Sequence, residues 1–142
     1  MVGRGLLASL DIETGEPNWS IEPQEIHREK PAILNDKIYL VDVFNDLRVY
    51  SAENGRLLWQ DGERKYQGSP LVTLNHLLIN GGQTEIYLLN ESGNLVQEWD
   101  IEGAHPNFGD ARLQFSVYNS GSGQNGRFWV IDNQSRLYLI GN

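Results

Sequence analysis

An all-β chain of repeated, four-stranded antiparallel sheets is what the sequence predicts, and three observations predict it. The stretch from Leu7 to Trp19 returns forty residues later as Leu47 to Trp59, and a looser copy runs from Ile86 through Ser92 and Gly93 to Trp99, again forty residues on. A fixed period in this range marks a repeat architecture. Each copy is a short apolar alternation, a polar cluster closing on Gly, and a second apolar run that ends on Trp, which reads as a β-hairpin. The other hairpins keep the same beat: Leu34-Asn35 and Leu74-Asn75 also stand forty apart, and residues 128–140 lie on 38–50 without a gap. Four short strands per period near forty residues make the blade of a β-propeller. A β-sandwich is the alternative, and the strict repeat disfavours it.

In chain order, residues 6–11 and 16–22 form a first hairpin around Glu13-Thr14-Gly15, with no companion strands before it. Gly15, Gly55 and Gly93 sit where such a turn wants φ > 0, which Gly adopts without steric cost. Asp11 and Asn90, and more weakly Ser51, are placed to accept hydrogen bonds from backbone N–H groups two residues on. The polar run from Pro23 to Lys30 reads as a loop, or as one helical turn.

The first full unit follows: strands at 32–34, 37–43, 47–51 and 56–60, with turns at Asn35-Asp36, Phe44 to Asp46 and Asn54-Gly55. The next has strands at 71–74, 77–80, 85–89 and 94–100, turning at Asn75-His76 and at 81–84. The last has strands at 112–118, 128–132 and 136–140, with a Gly/Ser/Asn-rich flexible loop at 119–126. A single domain, 1–142, results, divided into a half blade at 6–22, blades at 31–60 and 70–100, and an incomplete blade at 111–141. In all it is a partial propeller of about three and a quarter blades, by the four-strand blade rule.

Composition narrows the function. At 142 residues the chain is about one domain long. Its formal net charge of -8 argues against nucleic acid, whose phosphates are bound by Lys and Arg. No apolar run approaches the roughly 20 residues of a membrane-spanning helix. The chain has no Cys, hence neither disulfides nor thiolate chemistry. Met1 to Gly5 runs straight into the first repeat, which leaves no room for a signal peptide. The compartment stays unassigned.

At Asp11, Gly15 and Trp19 the chain resembles the repeat of the pyrroloquinoline-quinone-like propeller family, a strand followed by Ala-x-Asp-x-x-x-Gly-x-x-x-Trp. Ser9 replaces the Ala in the first copy. The second has Val49 and Ser51 at the Ala and Asp positions and keeps Gly55 and Trp59; the third has a shortened turn and two extra residues between Gly93 and Trp99. The resemblance implies the fold and blade-to-blade docking through the Trp. The family spans quinoprotein dehydrogenases, the lipoprotein scaffold of the outer-membrane barrel-assembly machinery, and many binding proteins, so activity does not follow from it.

The candidate residues fall into two sets. Gly15, Trp19, Gly55, Trp59, Gly93 and Trp99 are expected to dock blades, since repeat-locked indoles are core residues far more often than ligand platforms. Trp129 falls where Tyr39 does and is read as core. His105, Asn107, Asp110 and Arg112 lie on the least repeat-like stretch and form the candidate ligand loop, because function concentrates on loops of rigid scaffolds. His27, His76 and His105 lack metal spacing, and His76 is expected at an exposed turn. No catalytic, cofactor-binding or metal residue is assigned, and no cofactor is expected. The function expected is a non-catalytic propeller module and scaffold that binds protein or a small ligand and assembles through open blade faces as a homodimer, or belongs to a longer propeller chain. The alternative is a fragment of a propeller enzyme, either a quinoprotein oxidoreductase or a glycan-acting enzyme.

Overall fold

The computed structural model describes residues 5–22, 30–73, 75–81, 84–101, 114–118, 127–131 and 137–140. Every regular element among them is a β-strand, and the strands form four separate antiparallel sheets. The first sheet pairs β1 (Leu7–Leu10) with β2 (Pro17–Ile21). The second runs β3 (Ala32–Leu34), β4 (Lys37–Val41), β5 (Leu47–Ser51) and β6 (Leu57–Asp61) in chain order. The third repeats this with β7 (Gln67–Thr73), β8 (His76–Asn80), β9 (Glu85–Leu89) and β10 (Leu95–Asp100). The fourth holds β11 (Gln114–Tyr118), β12 (Arg127–Ile131) and β13 (Leu137–Ile140). The fold is a partial β-propeller.

Turn chemistry fixes the meander. Asn35 and Asp36 both take positive φ, 47° and 58°, the backbone of a two-residue hairpin turn whose twist matches its strands. Asp11 Oδ1 accepts from the Glu13 and Thr14 amides at 3.0 and 2.8 Å. Asn90 Oδ1 accepts from Ser92 and Asn94 at 2.9 and 3.0 Å, and Ser51 Oγ from Glu53 at 3.2 Å, so all three side chains hold their turns as their positions predict.

Pairing shows the repeat at the level of individual residues. Ile38 pairs with Tyr50 and Val41 with Leu47; ninety residues on, Phe128 pairs with Ile140 and Ile131 with Leu137. Each outer strand also carries one extra residue. Ser9 faces Trp19 and Leu10 faces Pro17, which leaves Asn18 unopposed; Leu58 and Val96 are left over in the same way on β6 and β10. Such a β-bulge inverts the alternation beyond it. Here it sets Trp59 rather than Leu58 opposite Val49.

The sheets stack through their side-chain faces. Tyr39, Val41, Leu47 and Val49 of the second sheet bury against Leu77, Ile79 and Leu89 of the third and Tyr66 just before it, with Trp59 packed at the margin. A smaller cluster joins Ile38, Leu40 and Tyr50 of the second sheet to Leu7, Trp19 and Ile21 of the first. Several strand ends differ from the sequence reading, among them that of β4, which stops at Val41 rather than 43. β7 begins at Gln67, not 71, because Gly68, with φ of 72°, lets the strand continue through an irregular register. His76 starts β8 opposite Thr73 and is half-buried, so it is no exposed turn residue.

Candidate interface between blades

At the end of the sheets that carries the Gly turns, each covered blade meets its predecessor through an indole lying on a glycine. Trp19, on β2, spans to the second sheet: its Nε1–H donates to the Ala52 carbonyl at 2.9 Å. A methyl carbon placed on Gly55 would lie 2.7 Å from Trp19 Cε3, too close for any Cβ. Gly55 is buried beneath that ring, and its φ of 73° independently calls for Gly. The next junction repeats the contact, since a Cβ on Gly93 would fall 2.5 Å from Trp59 Cη2.

Tyr39 reinforces the second junction. Its ring stands edge-on to Trp59 at 6.3 Å and 73°, and its hydroxyl donates to the Glu91 carbonyl at 3.0 Å. Burial, with the Glu91 charge nearby, pushes its phenol up to about 12. The Glu91 carboxylate accepts from Asn35 Nδ2 at 2.9 Å and lies 3.7 Å from Lys37 Nζ. The Asn35 hydrogen bond, then the Lys37 charge, hold it below the usual carboxylate range.

Trp99 departs from the pattern. Gln97, not Trp99, follows the bulge of its strand and pairs with Leu88, in the place that Trp19 and Trp59 hold on their strands. Trp99 pairs with Ile86, where the second sheet sets Asp61 against Leu47. The cause is local: the third turn closes from Gly93 N–H to the Asn90 carbonyl, one residue tighter than Gly15 to Asp11 or Gly55 to Ser51. The two added residues then carry the indole one pleat further along the same face.

The opposite end of the sheets is polar and closely tied. Asp42 is fully buried and lies 2.7 Å from Arg48 Nε, while its Oδ1 accepts from the Phe44 and Asp46 amides at 2.9 and 3.0 Å. Lys65 Nζ reaches Asp46 Oδ1 at 2.6 Å and the Phe44 carbonyl at 3.3 Å. Asp61 Oδ2 accepts from the Tyr66 hydroxyl at 2.6 Å and from Arg64 Nη1 at 3.0 Å. Burial opposes ionisation of Asp61, but the Tyr66 bond, the Glu63 and Arg64 amides and the Arg64 side chain together hold its carboxyl below the usual value. Burial, then the Asp61 carboxylate, raises the Tyr66 phenol. These carboxylates are matched by cations and donors, an arrangement that fixes loops. Phe44 stands 54% exposed on the loop they hold. None of this network was singled out from sequence, because its members are scattered through turns and meet only across strands.

The candidate ligand-loop residues His105, Asn107, Asp110 and Arg112 lie outside the described residues, as does His27. Trp129 sits on β12 opposite Ser116 and Leu139, the register in which Tyr39 faces Ala32 and Val49. Among the described residues no group of three or more His, Asp or Glu is placed to hold a metal ion.

Comparison with known proteins places this geometry. Among solved structures the chain is similar to BamB from Moraxella catarrhalis, with a TM-score of 0.66 at 17% identity over 96% of this chain and 44% of that one. It is similar to the WD40 domain of SCAP from fission yeast, with a TM-score of 0.60 at 12% identity over 96% of this chain and 37% of the other. It also matches quinohemoprotein alcohol dehydrogenase from Comamonas testosteroni, with a TM-score of 0.53 at 18% identity over 67% of this chain and 18% of the enzyme. The chain thus spans less than half the length of each, and at these identities the likeness shows the fold alone. A search of curated protein sequences returns no match. The family model described as outer membrane protein assembly factor BamB matches residues 1–138, and the chain belongs to that family of pyrroloquinoline-quinone-type propeller repeats.

Proposed function

We propose that the chain is a non-catalytic propeller module, a scaffold that binds protein at its loops and completes its ring through the open faces of its end sheets. The observation that carries this is the family match over 1–138, whose description is that of an assembly factor. The closely tied loops around Asp42 and Asp61, with Phe44 exposed on them, supply the rigid surface that protein recognition favours. The quinoprotein reading has in its favour the fold likeness to the Comamonas enzyme, over 18% of that enzyme's length. A small ligand held by residues 105–112 belongs to the same reading of loop-borne binding.

A homodimer is the simplest closed assembly. The thirteen strands among the described residues give two copies about six and a half blades' worth, within the range of four to eight that closes a propeller. Light scattering on the purified chain is expected to give twice the 16.1 kDa chain mass at micromolar concentration, with no quinone absorbance. A monomer mass removes the dimer, and a quinone spectrum removes the non-catalytic reading.

A further inference from the structure

The second turn carries a chemistry that its two counterparts lack. Thr14 precedes the turn glycine of the first hairpin and Ser92 that of the third, but Asn54 precedes Gly55. Asn–Gly is the dipeptide most prone to succinimide formation, because glycine sets no side chain beside its own backbone nitrogen. The turn does not require Asn there. Asn54 Oδ1 accepts from the Arg56 amide at 3.1 Å, and Thr14 Oγ1 makes the same bond to the Glu16 amide at 3.2 Å. Asn54 is exposed, so water reaches its carboxamide and ammonia has a way out. The nucleophile, by contrast, is withheld. The Gly55 N–H donates to the Ser51 carbonyl at 2.9 Å, and Gly55 is buried with the Trp19 ring 2.7 Å from where a Cβ would stand. The Trp19 Nε1–H pins the same turn through the Ala52 carbonyl. Asn80–Gly81 differs, since Asn80 is itself buried and both partners are enclosed.

We propose that Asn54 is a covalent modification site gated by the junction between the first and second sheets. While Trp19 lies on Gly55 the site is inert. When the indole lifts and the Gly55–Ser51 hydrogen bond opens, solvent hydroxide deprotonates the Gly55 backbone nitrogen, which attacks Asn54 Cγ. A Cγ–N bond closes a succinimide, the Cγ–Nδ2 bond breaks, and Nδ2 departs as ammonia with a proton from water. Water then opens the ring at either carbonyl, leaving aspartate or isoaspartate at position 54. No oxidant or reductant enters. Either product adds a negative charge beside Glu53, and isoaspartate also adds a methylene to the main chain. The bonds from Gly55 N–H to Ser51 and from Ser51 N–H to Arg56, at 2.9 and 2.8 Å, then lose their register. Gly55 is displaced from beneath the indole, so an opening that ends in ammonia loss is permanent.

The test is incubation of the 142-residue chain in mildly alkaline buffer. Peptide mass spectrometry resolves position 54 from Asn80 and Asn125, and enzymatic methyl-ester labelling reports isoaspartate. A linear peptide copying residues 50–58 supplies the unguarded rate, because so short a hairpin does not hold together in water. The native chain is expected to modify position 54 at least tenfold more slowly than the peptide, and Trp19→Ala to recover most of that difference. Asn54→Thr, which copies the Thr14 turn, should keep the wild-type melt and give no product at 54. Should Trp19→Ala not fold, the wild-type chain in sub-denaturing urea answers the same question. Modification at 54 should then rise in step with hydrogen exchange of the Gly55 amide, ahead of the global transition. Chain isolated with isoaspartate at 54 should melt several degrees below unmodified chain.

Modification at 54 as fast in the native chain as in the peptide overturns the proposal. So does a rate that a folded Trp19→Ala leaves unchanged, or one that rises only with global unfolding, because the indole would then not be what guards the site. An unshifted melt of the isoaspartate-bearing chain overturns the permanence of the opening.

Discussion

Three glycines with the same backbone conformation and different surroundings separate two costs that are usually confounded. Gly15→Ala introduces only the strain of positive φ, about 1–2 kcal/mol for an L-residue. Gly55→Ala and Gly93→Ala meet that strain and also an indole less than 3 Å away, and overpacking adds roughly 1–3 kcal/mol more. Urea unfolding of the three variants is expected to rank Gly15→Ala as the mildest; equal losses would mean that the rings move aside freely. At this scale the sequence was informative about backbone and silent about contact. That Gly15, Gly55 and Gly93 need positive φ follows from their turns, but which indole lies on which glycine depends on how neighbouring sheets stack. The Asp42–Arg48 pair was illegible for the same reason: nothing in residues 42–48 announces that Asp42 is fully buried.

At the scale of the element, the outer strand with its bulge and indole is the unit that joins blades. Trp59→Ala removes the ring over Gly93 and the edge contact to Tyr39, and is expected to destabilise the chain by about 3 kcal/mol, the lower end for aromatic truncation because the ring is only half-buried. The midpoint of chemical unfolding measures it; a change below about 0.5 kcal/mol, the usual range of surface substitutions, would relegate the indole to a surface group. The alternation and turn residues gave the strands and most of their ends. They did not give the bulges, because a single unopposed residue leaves the apolar pattern of so short a strand almost unchanged. The offset of Trp99 escaped for a related reason. The forty-residue spacing from Trp59 is preserved, while the tighter Asn90 turn shifts the register beneath it.

Across the whole molecule, stability is tied to ionised carboxylates. Asp11, Asp61 and Glu91 are all held below their ordinary values by hydrogen bonds or cations. A carboxyl with a depressed folded-state pKa adds stability that is complete above its unfolded value and fades as pH falls through the folded one. Unfolding midpoints are therefore expected to be flat from pH 7 to about 5 and to decline below the ordinary values of 4.5 for Glu91 and 3.8 for the two Asp residues. Asp61→Asn should shallow that decline, and an unchanged slope would show that its partners do not tie it to the fold. The repeat made this architecture readable at a distance, since one period recurring along the chain leaves few folds to choose from, whereas the stretch at 105–112 has no internal copy to be read against. Asn18, Leu58 and Val96, finally, bear on how the rim behaves toward strangers. A straight outermost strand offers a regular row of free amides and carbonyls on which any foreign strand can grow. One unopposed residue in each of these three strands interrupts that row, which makes β2, β6 and β10 poorer templates for a foreign strand than a straight edge would be.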